Sequence, residues 1–150
     1  MPGSGKTTLI SALVRLLVKM GKSIILTSYT HSAIDNLLLK LLNNQHFSSF
    51  LRLGKTSRVH TDLKEFTEDY LIEKENITDV EQLSNLYHSQ PVIATTCLGA
   101  NNHPCFKSRI FDYCILDEAG QSLLLSALGK FYSFMILDAS LMITRRLANF

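Results

Sequence analysis

Apolar residues recur at three- and four-residue intervals directly after MPGSGKTT. Leu9, Ile10, Leu13, Val14, Leu16, Leu17 and Met20 predict a helix, which Gly21 stops. Ile24, Ile25 and Leu26 then run without a polar break, as in a short buried strand. Ile34, Leu37, Leu38, Leu41 and Leu42 form the stripe of a second helix that ends in Asn43, Asn44, Gln45 and His46. Residues 50–53 predict a strand ended by Gly54, and 55–61 a polar loop. Asp62, with Glu65 three positions on, predicts a capping box for a helix that turns Leu63, Phe66 and Tyr70 to one side. A break follows at 75–79, then a short helix from Val80 to Tyr87. Pro91–Thr96 predicts a strand with its proline first, where a missing N–H does least harm. Residues 101–104 predict a loop, Ile110–Leu116 a strand, 121–130 a helix and 133–139 a last strand. The basic, partly apolar tail carries no predicted element.

Strands alternate with helices, and several strands are continuous apolar runs, the pattern of parallel strands covered on both faces. The fold class is therefore α/β, a three-layer domain with a mostly parallel sheet. The 150 residues suffice for one domain, and a composition 46% hydrophobic and 19% charged excludes disorder of the whole chain. No apolar run approaches the length of a membrane span, so no membrane partner is expected. The net charge of +2 is unevenly placed: residues 62–82 carry eight acids and two lysines, the remainder thirteen bases and five acids. A basic body with one acidic helical excursion, extending over 62–90, is compatible with a polyanionic partner. Cys97, Cys105 and Cys114 include no Cys-x-x-Cys pair, which argues against a zinc site and for reduced thiols.

Candidate chemistry begins at Gly3-Ser4-Gly5-Lys6-Thr7-Thr8, which matches the end of G-x-x-x-x-G-K-[ST]. Glycines let backbone N–H groups converge on phosphate oxygens, and the helix that follows directs its positive end at the anion. Lys6 would reach the β- and γ-phosphates of ATP, and the Thr7 hydroxyl would coordinate Mg²⁺. The first glycine of the motif would precede Met1, as would the strand that feeds the turn. With that strand missing from the sheet, its neighbours are expected to have unpaired edges.

Asp117 and Glu118 close the apolar strand 110–116, at the sheet end where ligands bind in open α/β folds. Asp117 would hold Mg²⁺ through water, and Glu118 would orient and activate the attacking water. Gln121 could touch the γ-phosphate or that water. Asp138 also ends a predicted strand, beside the metal or as the cap of a following helix.

GSGKTT, TSYTHSAIDNLLLKL, ATTCLG and DEAGQ, in that order, resemble superfamily 1 helicases, and most closely the helicase domain of the eukaryotic DNA replication ATP-dependent helicase/nucleases. The resemblance runs from Met1 to about Leu137 and implies a P-loop (RecA-like) first motor domain. It implies ATP hydrolysis coupled to movement on single-stranded DNA in replication and repair, and a location in the nucleus and also the mitochondrion. It makes Lys6 and Thr7 the nucleotide and magnesium residues, and Asp117 and Glu118 the acidic pair. Ser28, Thr30 and His31, with Thr95 and Thr96, would contact the strand's backbone, since hydroxyls and amides grip phosphates without reading bases.

There are departures too. Where the family has glycine and aspartate with a glutamine three positions on, this chain has Leu137, Asp138 and Leu141, and residues 138–150 diverge. The family's second motor domain and its nuclease domain, with its iron–sulfur cysteines, lie outside the match. Three readings follow: a motor fragment, a half-motor that binds nucleotide or DNA without catalysis of its own, or a truncated product without function.

Overall fold

Lys6–Lys19 form the first helix (α1) in a computed structural model that describes residues 5–45, 47–117, 132–138 and 141–146. The helix starts on Gly5, whose φ of 68° lies in the left-handed region that favours glycine, and whose carbonyl accepts the Leu9 N–H at 3.0 Å. It ends at Gly21, φ 71°, with the N–H groups of Gly21 and Lys22 turned back to Val18 and Leu17. The apolar stripe is narrower than its sequence pattern. Ile10, Val14 and Leu17 are buried, whereas Leu9, Leu16 and Met20 are more than half exposed, because a helix lying on a sheet buries one face only.

The other elements are β1 (Ile24–Ser28), α2 (His31–Gln45), β2 (Phe50–Arg52), α3 (Glu68–Lys74), α4 (Val80–Ser89), β3 (Val92–Thr96), α5 (Cys97–Asn102), α6 (Cys105–Ser108), β4 (Tyr113–Asp117), β5 (Tyr132–Asp138) and β6 (Leu141–Arg146). The sheet order is β2-β3-β1-β4-β6-β5. Its first four strands are parallel, and β6 joins β4 and β5 antiparallel. Alternating residues feed two cores. Ile24 and Leu26 face α1 and α2, packing with Ile10, Val14, Ile34 and Leu38, while Ile25 faces Tyr87, Cys105 and Phe111. These are the three layers that the alternation of strands and helices predicts. No described helix is long and apolar enough to cross a membrane.

Several expectations need correction. The β4 edge is paired, with β1 on one side and β6 on the other, so the tail, for which no element is predicted, supplies a strand. Asp138 closes β5 and pairs with Leu141 at the start of β6, so it caps no helix. Residues 101–104 are not all loop, because α5 runs to Asn102. The predicted helix from Asp62 is broken at Thr67. Residues Thr61–Phe66 form a 3-10 turn capped by His60 rather than by Asp62, and Thr67 is extended because it pairs with Arg52 at the sheet edge. The reciprocal cap occurs instead at α4, where Asp79 accepts the Gln82 N–H at 2.8 Å and Gln82 accepts that of Thr78 at 2.9 Å. The predicted helix at 121–130 lies outside the described residues.

Glu68 ties the acidic excursion to the body. It accepts hydrogen bonds from the Tyr87 hydroxyl and from His103 Nε2, the latter at 3.0 Å. Burial alone would push the Glu68 carboxyl up; the bonds from His103 and Tyr87 outweigh it and hold the group below the ordinary carboxylate value. A carboxyl depressed in the folded state contributes stability above its unfolded pKa and loses it as pH falls through the folded one. Glu68→Gln is therefore expected to cost about 1–3 kcal/mol at neutral pH. The deficit should shrink as pH drops below the carboxylate range. Urea midpoints of both chains at pH 7 and pH 3 check this, and an equal deficit at both would contradict it.

Candidate functional site

The parallel strands end in one row. Thr96 of β3 pairs with Ser28 of β1, and Ser28 pairs with Asp117 of β4. Three segments of the sequence, 68 and 21 residues apart at these positions, thus bring a hydroxyl, a second hydroxyl and a carboxylate side by side at the C-terminal edge of the sheet.

The phosphate-type turn meets this row. Lys6, at the start of α1, places Nζ 3.1 Å from Asp117 Oδ1. Side-chain exposures of 27% and 10% make the pair partly screened from water and still reachable. Thr7 follows within the first turn, half-buried, with its carbonyl accepting the Ser11 hydroxyl at 2.8 Å. Thr8 is exposed, and its hydroxyl accepts from Lys40 Nζ of α2 at 2.7 Å, so a second cation stands beside the turn. Among the described residues, a Cβ built on Gly5 would meet nothing within 4 Å. Backbone N–H groups at a helix start, a lysine, a hydroxyl and a carboxylate fit Mg²⁺ and a triphosphate in charge and in type. Gly3, Ser4, Glu118 and Gln121 lie outside the described residues.

The second group of candidates is divided by burial. Ser28, Thr95 and Thr96 are buried. Thr96 caps α5 by accepting the Gly99 N–H at 3.2 Å. Thr30 is exposed and caps α2 by accepting the Ala33 N–H at 3.2 Å. His31 is half-buried. Burial, then the guanidinium groups of Arg52 and Arg58, hold its pKa below the ordinary histidine value, against the opposing pull of Asp35. Two features had no part in the sequence reading. Tyr29 is 55% exposed beside Thr30, and exposure of one tyrosine cannot be inferred from local pattern. Arg52, fully buried in β2, donates Nε to Asp35 Oδ1 at 2.9 Å, while Asp35 Oδ2 accepts the His60 N–H at 2.8 Å. An arginine within the short strand FLRL was the available signal, because a charge in a buried strand requires a partner.

Leu141, at the position where the resemblance leads one to expect glutamine, pairs in register with Asp117.

A glycine turn that opens a helix beneath a parallel sheet, with its lysine against a carboxylate at the end of a sheet strand, is the arrangement of the P-loop nucleoside triphosphatases, and this domain is of that class. Comparison with known proteins narrows it. A family model described as an AAA domain matches residues 1–87 and 74–132, and the chain belongs to that family. The chain is similar to the DNA replication ATP-dependent helicase/nuclease DNA2 of Xenopus laevis, 54% identical over 121 residues, which are 81% of this chain and 11% of that protein. The human protein of the same name is 51% identical over 121 residues, again 81% and 11%. That of Saccharomyces cerevisiae is 42% identical over 130 residues, 86% of this chain and 8% of that one. The chain thus spans about a tenth of the length of these curated relatives.

Proposed function

We propose that residues 1–150 are the nucleotide-binding part of an ATP-driven DNA motor. Gly3–Thr8 would cradle the phosphates, Lys6 would neutralise the β- and γ-phosphates, and Thr7 and Asp117 would hold Mg²⁺. Glu118 and Gln121, next along the chain from Asp117, would orient the attacking water and follow the γ-phosphate. The observation that carries this reading is the 3.1 Å approach of Lys6 to Asp117, which puts the phosphate cation and the metal carboxylate within the span of one triphosphate.

Single-stranded DNA is the polymer in this reading. Thr30 and His31 offer donors at the same sheet end, and exposed Tyr29 offers a face on which a base can stack. The buried Ser28, Thr95 and Thr96 would act by shaping the backbone of this edge. The names of the relatives, which are DNA replication helicase/nucleases, support this polymer. Strand separation would need a second domain displaced against this one. The activity proposed for residues 1–150 is binding.

Titration of the chain with a fluorescent ATP analogue tests the reading. Saturable binding is expected, at least tenfold weaker when Mg²⁺ is chelated, because Thr7 and Asp117 would hold the metal and the metal would supply charge against the phosphates. Absence of binding, or binding indifferent to the metal, overturns it.

A further inference from the structure

Arg52 makes three contacts, and each of them constrains its neighbour. Nε donates to Asp35 Oδ1 at 2.9 Å, Nη1 donates to the Leu53 carbonyl, and Nη2 lies 3.1 Å from His31 Nδ1. The guanidinium is fully buried, so it has no room to swing to another partner. Gly54, at φ 135°, carries the chain close past the pair: a Cβ there would stand 3.4 Å from Arg52 Nη1 and 3.6 Å from His31 Cε1.

A guanidinium has five donors and no acceptor. The contact at 3.1 Å is a hydrogen bond only if His31 Nδ1 accepts, and an accepting Nδ1 carries no proton. The ring's single proton then sits on Nε2, which has no hydrogen-bond partner among the described residues. His31 opens α2 directly after exposed Tyr29 and Thr30, at the end of β1. The charged groups that face it are Arg52, Arg58 and Asp35.

We propose that Arg52 is a positioning residue that fixes His31 as its neutral Nε2–H tautomer, so that Nε2 donates to a phosphate oxygen of a single strand. This rests on the DNA reading above and adds to it the protonation state and the atom that makes the contact. A neutral donor has a distinctive signature: it adds affinity but displaces no counterion, so its loss leaves the salt dependence of binding unchanged.

The test has two arms. In the first, the ring nitrogens of His31 are read by ¹⁵N NMR on histidine-labelled chain at pH 7, the resonance being assigned by its loss in His31→Gln. A protonated Nε2 and an unprotonated Nδ1 are expected. An Nδ1–H tautomer or an imidazolium overturns the proposal. The second arm measures binding of an oligothymidylate between 50 and 200 mM salt, as orders of magnitude in salt effect are read over that range. Asparagine projects its amide near the Nδ1 position and glutamine near Nε2. His31→Asn is expected to bind about tenfold more weakly with the same salt slope, and His31→Gln less than threefold more weakly. Equal loss in both, or a slope reduced by about one in His31→Asn, overturns the neutral donor. Failure of the unaltered chain to bind the oligonucleotide would overturn the DNA reading and take this ligand with it. Binding that persists alongside an Nδ1-protonated ring would overturn only the present inference.

Discussion

Lys6→Ala is expected to weaken binding of Mg-ATP by about two orders of magnitude. Hydrogen bonds to charged groups contribute about 1.5–3 kcal/mol each, and in the proposed reading Lys6 would make two, to the β- and γ-phosphates. Even about 3 kcal/mol corresponds to more than a hundredfold in affinity. The same substitution should cost the chain without nucleotide about 1–3 kcal/mol, because it takes the lysine from a carboxylate that is only 10% exposed. Thermal unfolding separates the two effects. At a nucleotide concentration a hundred times Kd, linkage stabilises the unaltered chain by about 2.7 kcal/mol, roughly 5–10 °C for a domain of this size. The Lys6→Ala chain should melt about 2–12 °C below the unaltered one when both are free, and show almost no rise of its own with Mg-ATP. Lys6→Arg retains the charge but not the compact ammonium, and is expected to recover little. An equal thermal rise in Lys6→Ala would mean that nucleotide, if bound, sits elsewhere.

The parts of this site legible in the sequence are those whose chemistry is local. The GSGKTT turn fixes a glycine conformation, a helix start and a lysine within a few residues, and Gly5 and Lys6 occupy those places. Asp117 was legible because an apolar run ends on it, and a strand end in a parallel sheet faces the ligand crevice. What the sequence could not supply is what depends on pairing across the chain. The predicted helix at Asp62 had sound local signals, yet the demand of Thr67 for a partner beside Arg52 broke it. The basic, partly apolar tail carried no predicted element, and its strand from Leu141 pairs with the edge of β4 across the chain. Burial of Ser28, Thr95 and Thr96 follows from their strands lying inside the sheet, with neighbours on both sides of β1 and β3. Hydroxyl-rich strand ends therefore mark one edge of the sheet while leaving open which groups reach solvent.

The largest loss of stability is expected from Asp35→Ala, a position that carries no catalytic signal. Asp35 is 5% exposed and holds two donors at once, Arg52 Nε at 2.9 Å and the His60 N–H at 2.8 Å. Removing it leaves a fully buried guanidinium with a carbonyl and an imidazole and no counter-charge. Breaking a buried pair from one side costs about 3–5 kcal/mol, a large share of the roughly 5–15 kcal/mol by which a domain is stable. Asp35→Asn should recover only part of that. An amide has one oxygen, so one of the two donors would face an NH₂ group. Asp35→Leu combined with Arg52→Met should recover most of it, because the expense of burying both charges disappears along with their attraction. Urea midpoints at constant slope measure all three. A double variant no more stable than Asp35→Ala would show that the Arg52 contacts to His31 and Leu53, rather than its charge, hold α2 against β2.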